Sequence, residues 1–375
     1  MSSTKRELLQ LANHYKPEKS DVAGWLISEK LDGTRCFWDG GLSRGLLTER
    51  VPYANTIDPK TGKRKAKIKP VATGLWSRYG NPIMAPEWFL NQLPACPLDG
   101  ELWAGRGNFQ LCRSICAGDT PDPRFDQITF AVYSSPPLAS VFQTGQIKNA
   151  NMVVPIDYIT IEHWVRQRLE VFGRDWKQRG DFHYLPPGSV FADELRFMQT
   201  ALDNCDPDSR CYMHPQTRLI DMPVEAANQV EAYLEKVLDQ GGEGVVIRGP
   251  KTLWTPKRHR GLLKYKPFSD AEATVTGFTS GRKTNKGSRL LGKIGALITN
   301  YQGKRLELSG LTDAEREFAE GWMSAHATFH PGEDMPTGFQ GKQFKVGQTV
   351  TFKYRELSDD GIPKEARFWR RRGME

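Results

Sequence analysis

In SEKLDGTRCFWDG, residues 28–40, Lys30 stands between Glu29 and Asp32, with Gly33 and Arg35 just behind it. A lysine in that company is either half of a surface ion pair or a nucleophile whose reaction needs acids and a cation nearby. Four other stretches bear on the choice. LWSRYGN carries Arg78, and LDGELW carries Glu101 behind an Asp-Gly turn. GGEGVVIR carries Glu243 at the entry to a buried strand, and LLKYKP carries Lys264 and Lys266, two apart and so on one face of a strand. Each stretch alone has an ordinary structural reading: a hairpin turn, a strand-end charge, a wet strand face. Their occurrence together, each at the edge of an expected strand, points to chemistry.

A lysine is a poor nucleophile while protonated, and its free pKa is about 10.4. Neighbouring cations such as Lys264, Lys266, Arg35 and a metal ion would favour the neutral amine. An amine that attacks phosphorus also needs the phosphoryl charge screened, work suited to carboxylate-held magnesium and to Lys264 and Lys266. The set implies a lysine that takes a nucleotidyl group from a triphosphate. No GxxxxGK[ST] run occurs, which argues against a P-loop ATPase.

The elements that must position these residues read as follows. Residues 4–15 have the pattern of a short helix ended by Pro17. GWLISEKL, CFWDG and ITFAVYSS read as strands between Gly and Pro punctuation. PVEAANQVEAYLEKVLDQGG reads as an amphipathic helix with Val224, Ala227, Val230, Leu234 and Val237 on one stripe, ended by two glycines. Beyond Pro267 come short strands joined by glycine turns, and one helix from Thr312 with a T-x-x-E capping box to Glu315. Short strands plus one helix fit a small OB-type β-barrel. The expected class is α+β, with domains at 1–267 and 268–375.

The composition fits that plan. The 375 residues allow two cores, and 38% hydrophobic with 26% charged residues is a soluble globular profile. No apolar run is long enough for a membrane span, and no signal peptide is visible, so the expected location is cytoplasmic. Six scattered cysteines without a CxxC pair read as reduced thiols rather than a zinc site. The net charge of +8 favours a polyanionic partner. In KTGKRKAKIK, residues 60–69, the alternating Lys63, Lys65, Lys67 and Lys69 would share one face of an extended strand and meet a phosphate backbone, or else form a solvated hairpin.

These residues resemble the covalent nucleotidyltransferase superfamily of ATP-dependent polynucleotide ligases and mRNA-capping guanylyltransferases. KLDGTR, DGELW, FAVYS, EGVVI and LLKYKP match its motifs in order, through most of the chain. SRYGNPIMAPEWF and the tail VTFKYRELSDDGIPKEARFWRR are similar to the short two-domain ATP-dependent DNA ligases, with extra segments at about 41–74 and 174–215. The resemblance implies an adenylation domain of antiparallel sheets with flanking helices, then an OB barrel. It implies ATP and magnesium (or manganese) as cofactors, nicked duplex DNA as partner, no membrane, and a monomer.

Residue by residue, the resemblance makes Lys30 the adenylate carrier. Ser28, Glu29, Arg35, Glu101, Tyr133, Lys264, Lys266 and Arg370 would bind nucleotide, with Tyr133 stacked on adenine, Glu101 at the ribose and both lysines on the α-phosphate. Arg35 and Arg78 would take the 5′-phosphate of the nick, while Asp32, Glu101 and Glu243 would hold metal. Three departures stand out. Ser134 replaces the usual aspartate after Tyr133, the tail motif lacks its acidic member, and Arg50 in TER competes with Arg78 for the SR position. The rival readings are a capping guanylyltransferase, an RNA ligase, and a non-catalytic basic DNA-binding protein.

Overall fold

The computed structural model describes residues 8–58, 63–142, 146–149, 152–155, 182–282, 290–319, 332–336, 338–358 and 360–371. The chain divides into two compact units, one ending at Tyr265 and one beginning at Lys266. In chain order the first unit has strands β1 (Leu11–His14), β2 (Leu26–Glu29), β3 (Thr34–Asp39), β4 (Leu75–Ser77), β5 (Pro97–Trp103) and β6 (Thr129–Ser134). They are followed by β7 (Gln146–Asn149), β8 (Met152–Pro155), β9 (Cys211–Met213), β10 (Thr217–Arg218), β11 (Val245–Arg248) and β12 (Arg258–Tyr265). Its helices are α1 (Glu87–Asn91), α2 (Phe109–Ala117), α3 (Leu138–Phe142), α4 (Phe191–Asp203) and α5 (Pro223–Asp239).

Two five-stranded sheets organise this unit, in the orders β1-β12-β11-β2-β10 and β4-β3-β5-β6-β9. The alternation of strand side chains decides what each face does. In the first sheet Ile27, Val245, Ile247 and Leu263 pack under Ala226, Val230, Leu234 and Val237 of α5. The residues between them, Ser28, Val246, Leu262 and Lys264, turn to the opposite face and line a cavity. In the second sheet Cys36, Trp38, Leu98, Leu102, Phe130 and Val132 pack against Phe89, Ile115 and Met198 of the covering helices. Arg35, Glu101 and Tyr133 take the other face and line the same cavity.

Several expectations are corrected. Residues 11–14 are a strand, not part of a helix, because this stretch pairs in parallel with the edge of β12 while Leu8 and Leu9 are buried in a core. Asp99 and Gly100 form no turn; both lie inside β5, in register with Phe37 and Cys36 of β3. The α5 stripe runs through Ala226 rather than Val224, which is 69% exposed near the start of the helix. Lys266 falls just beyond the end of β12. Residues 63–70 are irregular apart from a single bridge at Arg64, so the four lysines share no strand face. Backbone bonds from Asp58 to Lys63 and from Lys65 to Thr56 fold that segment back on itself at 2.9 Å each.

The extra segment after β3 is pinned by Asp39. Its buried carboxylate accepts from the hydroxyls of Ser43 and Tyr53, the Trp76 indole N–H (3.0 Å) and the Gly41 N–H (2.8 Å). A buried carboxylate needs such partners; burial still pushes its pKa up, against the lowering by these donors.

The second unit contains β13 (Ser269–Ser280), β14 (Ile294–Tyr301), β15 (Lys304–Leu308), β16 (Thr349–Tyr354), β17 (Glu356–Leu357), β18 (Pro363–Lys364) and β19 (Arg367–Arg371). Five of these form a sheet in the order β15-β14-β13-β16-β19. Its two edges meet, with a parallel bridge between Ser309 and Arg367 and a bond from Phe368 N–H to the Ser309 carbonyl of 2.8 Å. Closure removes the open edges and encloses Phe278, Leu297, Phe339, Phe344 and Phe352, as in an OB barrel. The capping box is made, with the Thr312 N–H 2.7 Å from Glu315. It caps only the 3₁₀ turn Ala314–Arg316; residues 320–331 lie outside the described residues.

Gly100 shows how tightly β5 is fitted. A Cβ there would run into the Ala131 carbonyl of β6. Gly100→Ala is therefore expected to cost about 3 kcal/mol of stability. Urea unfolding would check this, and an unchanged midpoint would contradict the packing.

Candidate active site

The pairing of β2 with β11 places the nucleophile candidate. Glu29 lies opposite Val245, so the next residue along β2 meets the turn before β11. The Lys30 N–H donates to the Gly244 carbonyl at 2.8 Å, and the Lys30 ammonium donates to the Glu243 carboxylate. Gly33 lets the following loop lie against β5, where a Cβ would strike the Leu102 carbonyl. That approach brings Lys30 close enough to Glu101 for its charge to act on the Glu101 carboxyl.

Glu101 is unusual. Burial pushes its pKa up to about 7, against the lowering effect of Lys30 and Arg35. The Tyr133 hydroxyl donates to Glu101 Oε2 at 3.3 Å, and burial also raises the Tyr133 pKa.

Arg35 sits over the Tyr133 ring at 5.6 Å, with Nε and Nη2 donating to the two oxygens of Asp99 at 3.0 and 2.7 Å. Its Nη1 donates to the Gln10 carbonyl. Burial works against the Arg35 charge, but Asp99, Tyr133 and Glu101 together more than offset it and hold the guanidinium pKa above its ordinary value. Beside this pair, buried Arg248 donates to Ser134 Oγ (2.9 Å) and Glu194 Oε1 (3.1 Å), with its guanidinium 3.9 Å from the centre of the Phe191 ring. Glu194 comes from α4 and supplies a carboxylate behind Ser134.

The cavity between the two sheets has a volume of about 1260 Å³. Its walls include Ser28, Glu29, Lys30, Arg35, Arg78, Glu101, Tyr133 and Lys264 among the residues singled out above. Lys67 and Lys69 line it too, along with Arg113 of α2. Lys69 Nζ donates to the Gly118 carbonyl at 2.7 Å and Lys65 Nζ to Asn81 at 3.4 Å. Burial lowers the pKa of both lysines. Lys63 is exposed, and so is Arg50, on a 3₁₀ turn. Arg78, not Arg50, is in the wall.

Other assignments take a different shape in the structure. Glu29 is held by Arg106, which donates through Nε (2.8 Å) and Nη2 (2.7 Å). Among the described residues no three His, Cys, Asp or Glu side chains are grouped to hold a metal ion, so Asp32, Glu101 and Glu243 form no ready-made cage. Lys266 and Arg370 belong to the second unit, where Arg370 lies on β19 with its guanidinium 4.9 Å from the Trp369 ring. All six cysteines are free thiols, and no described helix is long and apolar enough to cross a membrane.

Sequence reasoning missed Asp99, Arg106, Glu194 and Arg248 as members of this neighbourhood. Asp99 was visible but read as a turn residue. Glu194 sits on a helix of the extra segment and matches no motif, so nothing local marked it.

Comparison with known proteins agrees with this architecture. Residues 287–372 match the DNA ligase OB-like domain. The chain is 23% identical over 353 residues to a DNA ligase of Haemophilus influenzae, spanning 93% of this chain and 87% of that protein. A solved structure from work on Lig E DNA ligases, described as binding DNA with a minimal scaffold, matches with a TM-score of 0.60 and 24% identity. That match covers 97% of this chain and 98% of the other. The structure Pmar-Lig_Pre matches with a TM-score of 0.56 and 16% identity, over 99% of this chain and 68% of the other. At these identities the structural likeness shows the fold alone.

The Glu101 environment has a measurable consequence. A carboxyl whose pKa is raised on folding adds stability at low pH, and that contribution is lost as pH rises from its ordinary range through about 7. Side-chain NMR of Glu101 should give a midpoint near 7, and Glu101→Gln should remove this share of the pH dependence. A midpoint near the ordinary 4.5 would contradict the burial of this carboxyl.

Proposed function

We propose that this chain is an ATP-dependent DNA ligase that seals nicks between a 3′-hydroxyl and a 5′-phosphate in duplex DNA, acting as a monomer. One observation carries the reading: Lys30 is fixed between Glu243 and Glu101 in a cavity that also holds Lys264, Arg78 and the aromatic ring of Tyr133. The likeness to DNA ligases and the OB-like domain support it.

Lys30 reacts as the free amine, so its ammonium must first pass a proton to the Glu243 carboxylate to which it donates. Its Nζ then attacks the α-phosphorus of ATP, an N–P bond forms, the bond to the β-phosphate oxygen breaks, and pyrophosphate departs. The 5′-phosphate of the nick next takes the adenylyl group from Lys30. The 3′-hydroxyl then attacks that activated phosphate and AMP leaves.

Lys264 neutralises charge developing on the α-phosphate; Lys266 is assigned the same task, and Arg370 the orientation of pyrophosphate. Tyr133 stacks on the base, Glu101 meets the ribose, and Ser28 and Glu29 form the wall beside them. Arg35 has spent three of its five N–H groups on Asp99 and Gln10. The remaining two are available to a 5′-phosphate, together with Arg78.

Magnesium typically takes one or two carboxylates and completes its shell with phosphate oxygens and water. Glu243 beside Lys30 fits that demand, with Glu101 and Asp32 as the other carboxylates proposed. When bound, the ion would supply charge screening for the phosphoryl oxygens.

Incubation with ATP labelled at the α-phosphate tests the reading. Label should stay on the wild-type chain, be absent from Lys30→Ala, and be discharged by nicked DNA. Labelling by GTP instead would move the reading to a capping enzyme, and labelling by neither would leave only a DNA-binding protein.

The basic segment has its own test. Lys63, Lys65, Lys67 and Lys69 are proposed to contact the DNA backbone, each neutralised phosphate contributing about 0.9 to the slope of log affinity against log salt. Replacing all four with serine should flatten that slope by about two to four. An unchanged slope would remove the segment from the interface and leave the ligase reading intact.

A further inference from the structure

A single row of side chains crosses the first sheet. Val246 lies opposite Ser28 on one side and Lys264 on the other. Thr217 lies opposite Ile27, so the antiparallel register sets Gln216 beside Ser28. Gln216, Ser28, Val246 and Lys264 all line the cavity. The row is thus cationic at the Lys264 end, apolar at Val246, and polar but uncharged at Gln216.

The Gln216 amide has a defined orientation. Its Nε2 donates to the His214 carbonyl at 3.3 Å. A flipped amide would set two acceptor oxygens against each other, so Oε1 is the atom left over. Among the described residues, Oε1 receives no hydrogen bond. His214 is itself anchored: its backbone N–H donates to the Val132 carbonyl at 2.7 Å, and its Nε2 lies 2.8 Å from the Glu29 carbonyl. A carbonyl partner requires the N–H on Nε2, the tautomer a neutral buried ring can supply.

We propose that Gln216 reads the nucleobase, its Oε1 accepting a hydrogen bond from the 6-amino group of adenine. The inference rests on reading the cavity as the nucleotide site. Phosphates belong with Lys264 and with Lys30, which follows Ser28 by two residues, the flat ring between Val246 and Tyr133, and the base edge at Gln216. Adenine offers a donor there. Guanine presents its O6 acceptor, which would face Oε1 and find no proton between them. Gln216 lies in none of the motifs that mark the nucleophile, so it would act on substrate choice rather than on the phosphoryl step.

The test compares kcat/KM for labelling of the full-length chain by ATP, by purine riboside triphosphate, which lacks the 6-amino group, and by GTP. The wild type should favour ATP over purine riboside triphosphate about tenfold and over GTP on the order of a hundredfold. Gln216→Leu should lose about tenfold with ATP and stay within about twofold with purine riboside triphosphate, bringing their ratio close to one. Gln216→Ala gives a second reading of the same ratio should the leucine variant fail to fold.

A purely structural role would weaken all three nucleotides alike and leave the ratios intact. That result, or a wild type indifferent to the 6-amino group, overturns the proposal while Lys30 labelling by ATP still stands. Failure of every nucleotide to label the wild type would instead bring down the ligase reading itself, and this inference with it.

Discussion

The buried pairing of Arg35 with Asp99 is the contact on which the first unit turns. Asp99 is fully buried in the middle of β5, and a carboxylate there is tolerable only with a matched cation. Arg35, from the adjacent strand β3, meets both its oxygens and then reaches the Gln10 carbonyl just ahead of β1. One guanidinium therefore ties the second sheet to the strand that edges the first. Buried pairs of this kind do little for net stability, but losing one partner strands the other at a cost of about 3–5 kcal/mol. Such an arrangement locks geometry more than it adds stability. The geometry it locks is the wall carrying Tyr133 and Glu101.

Around that pair the cavity is built from strand alternation. Every residue that packs under α5 or against α1, α2 and α4 leaves a neighbour on the opposite face, and those neighbours converge. The polar ones are not left bare. Arg248 rests on Glu194 and Ser134, Tyr133 on Glu101, Lys30 on Glu243, and His214 on Glu29. Incoming phosphates must therefore compete with ion pairs already made, such as Lys30 with Glu243, rather than fill an empty field. Glu101 shows the other side of the same environment: desolvation outweighs two nearby cations and keeps a proton on it up to about pH 7.

The extra segment between β3 and β4 changes the character of the site's rim. Anchored at Asp39 and folded back through Thr56 and Lys65, it lays Lys67 and Lys69 along the cavity wall, with Lys69 at the end of α2. Its cations are thus partly engaged within the protein, Lys69 with the end of α2 and Lys65 with Asn81. A basic run that looked like a uniform patch in sequence is divided between exposed and internal duties.

What the sequence determined by itself were the short-range facts. Lysine, acid and glycine in KLDGTR, the β-branched run of GVVIR and the alternation in LLKYK depend on residue type and near neighbours, and so were legible. The helical period of residues 223–239 was legible for the same reason, although the exposed Val224 shows that periodicity does not locate the first buried turn. The tertiary structure decided the rest. Residues 11–14 became a strand because an edge of β12 was there to pair with, overriding local preference. Asp99 and Gly100 became strand interior because β3 and β6 flank them, and no turn rule sees two neighbouring strands. Glu194 came to back Arg248 and Ser134, and Gln216 joined the cavity wall, from stretches without any motif, since long-range packing, not sequence spacing, sets which side chains meet.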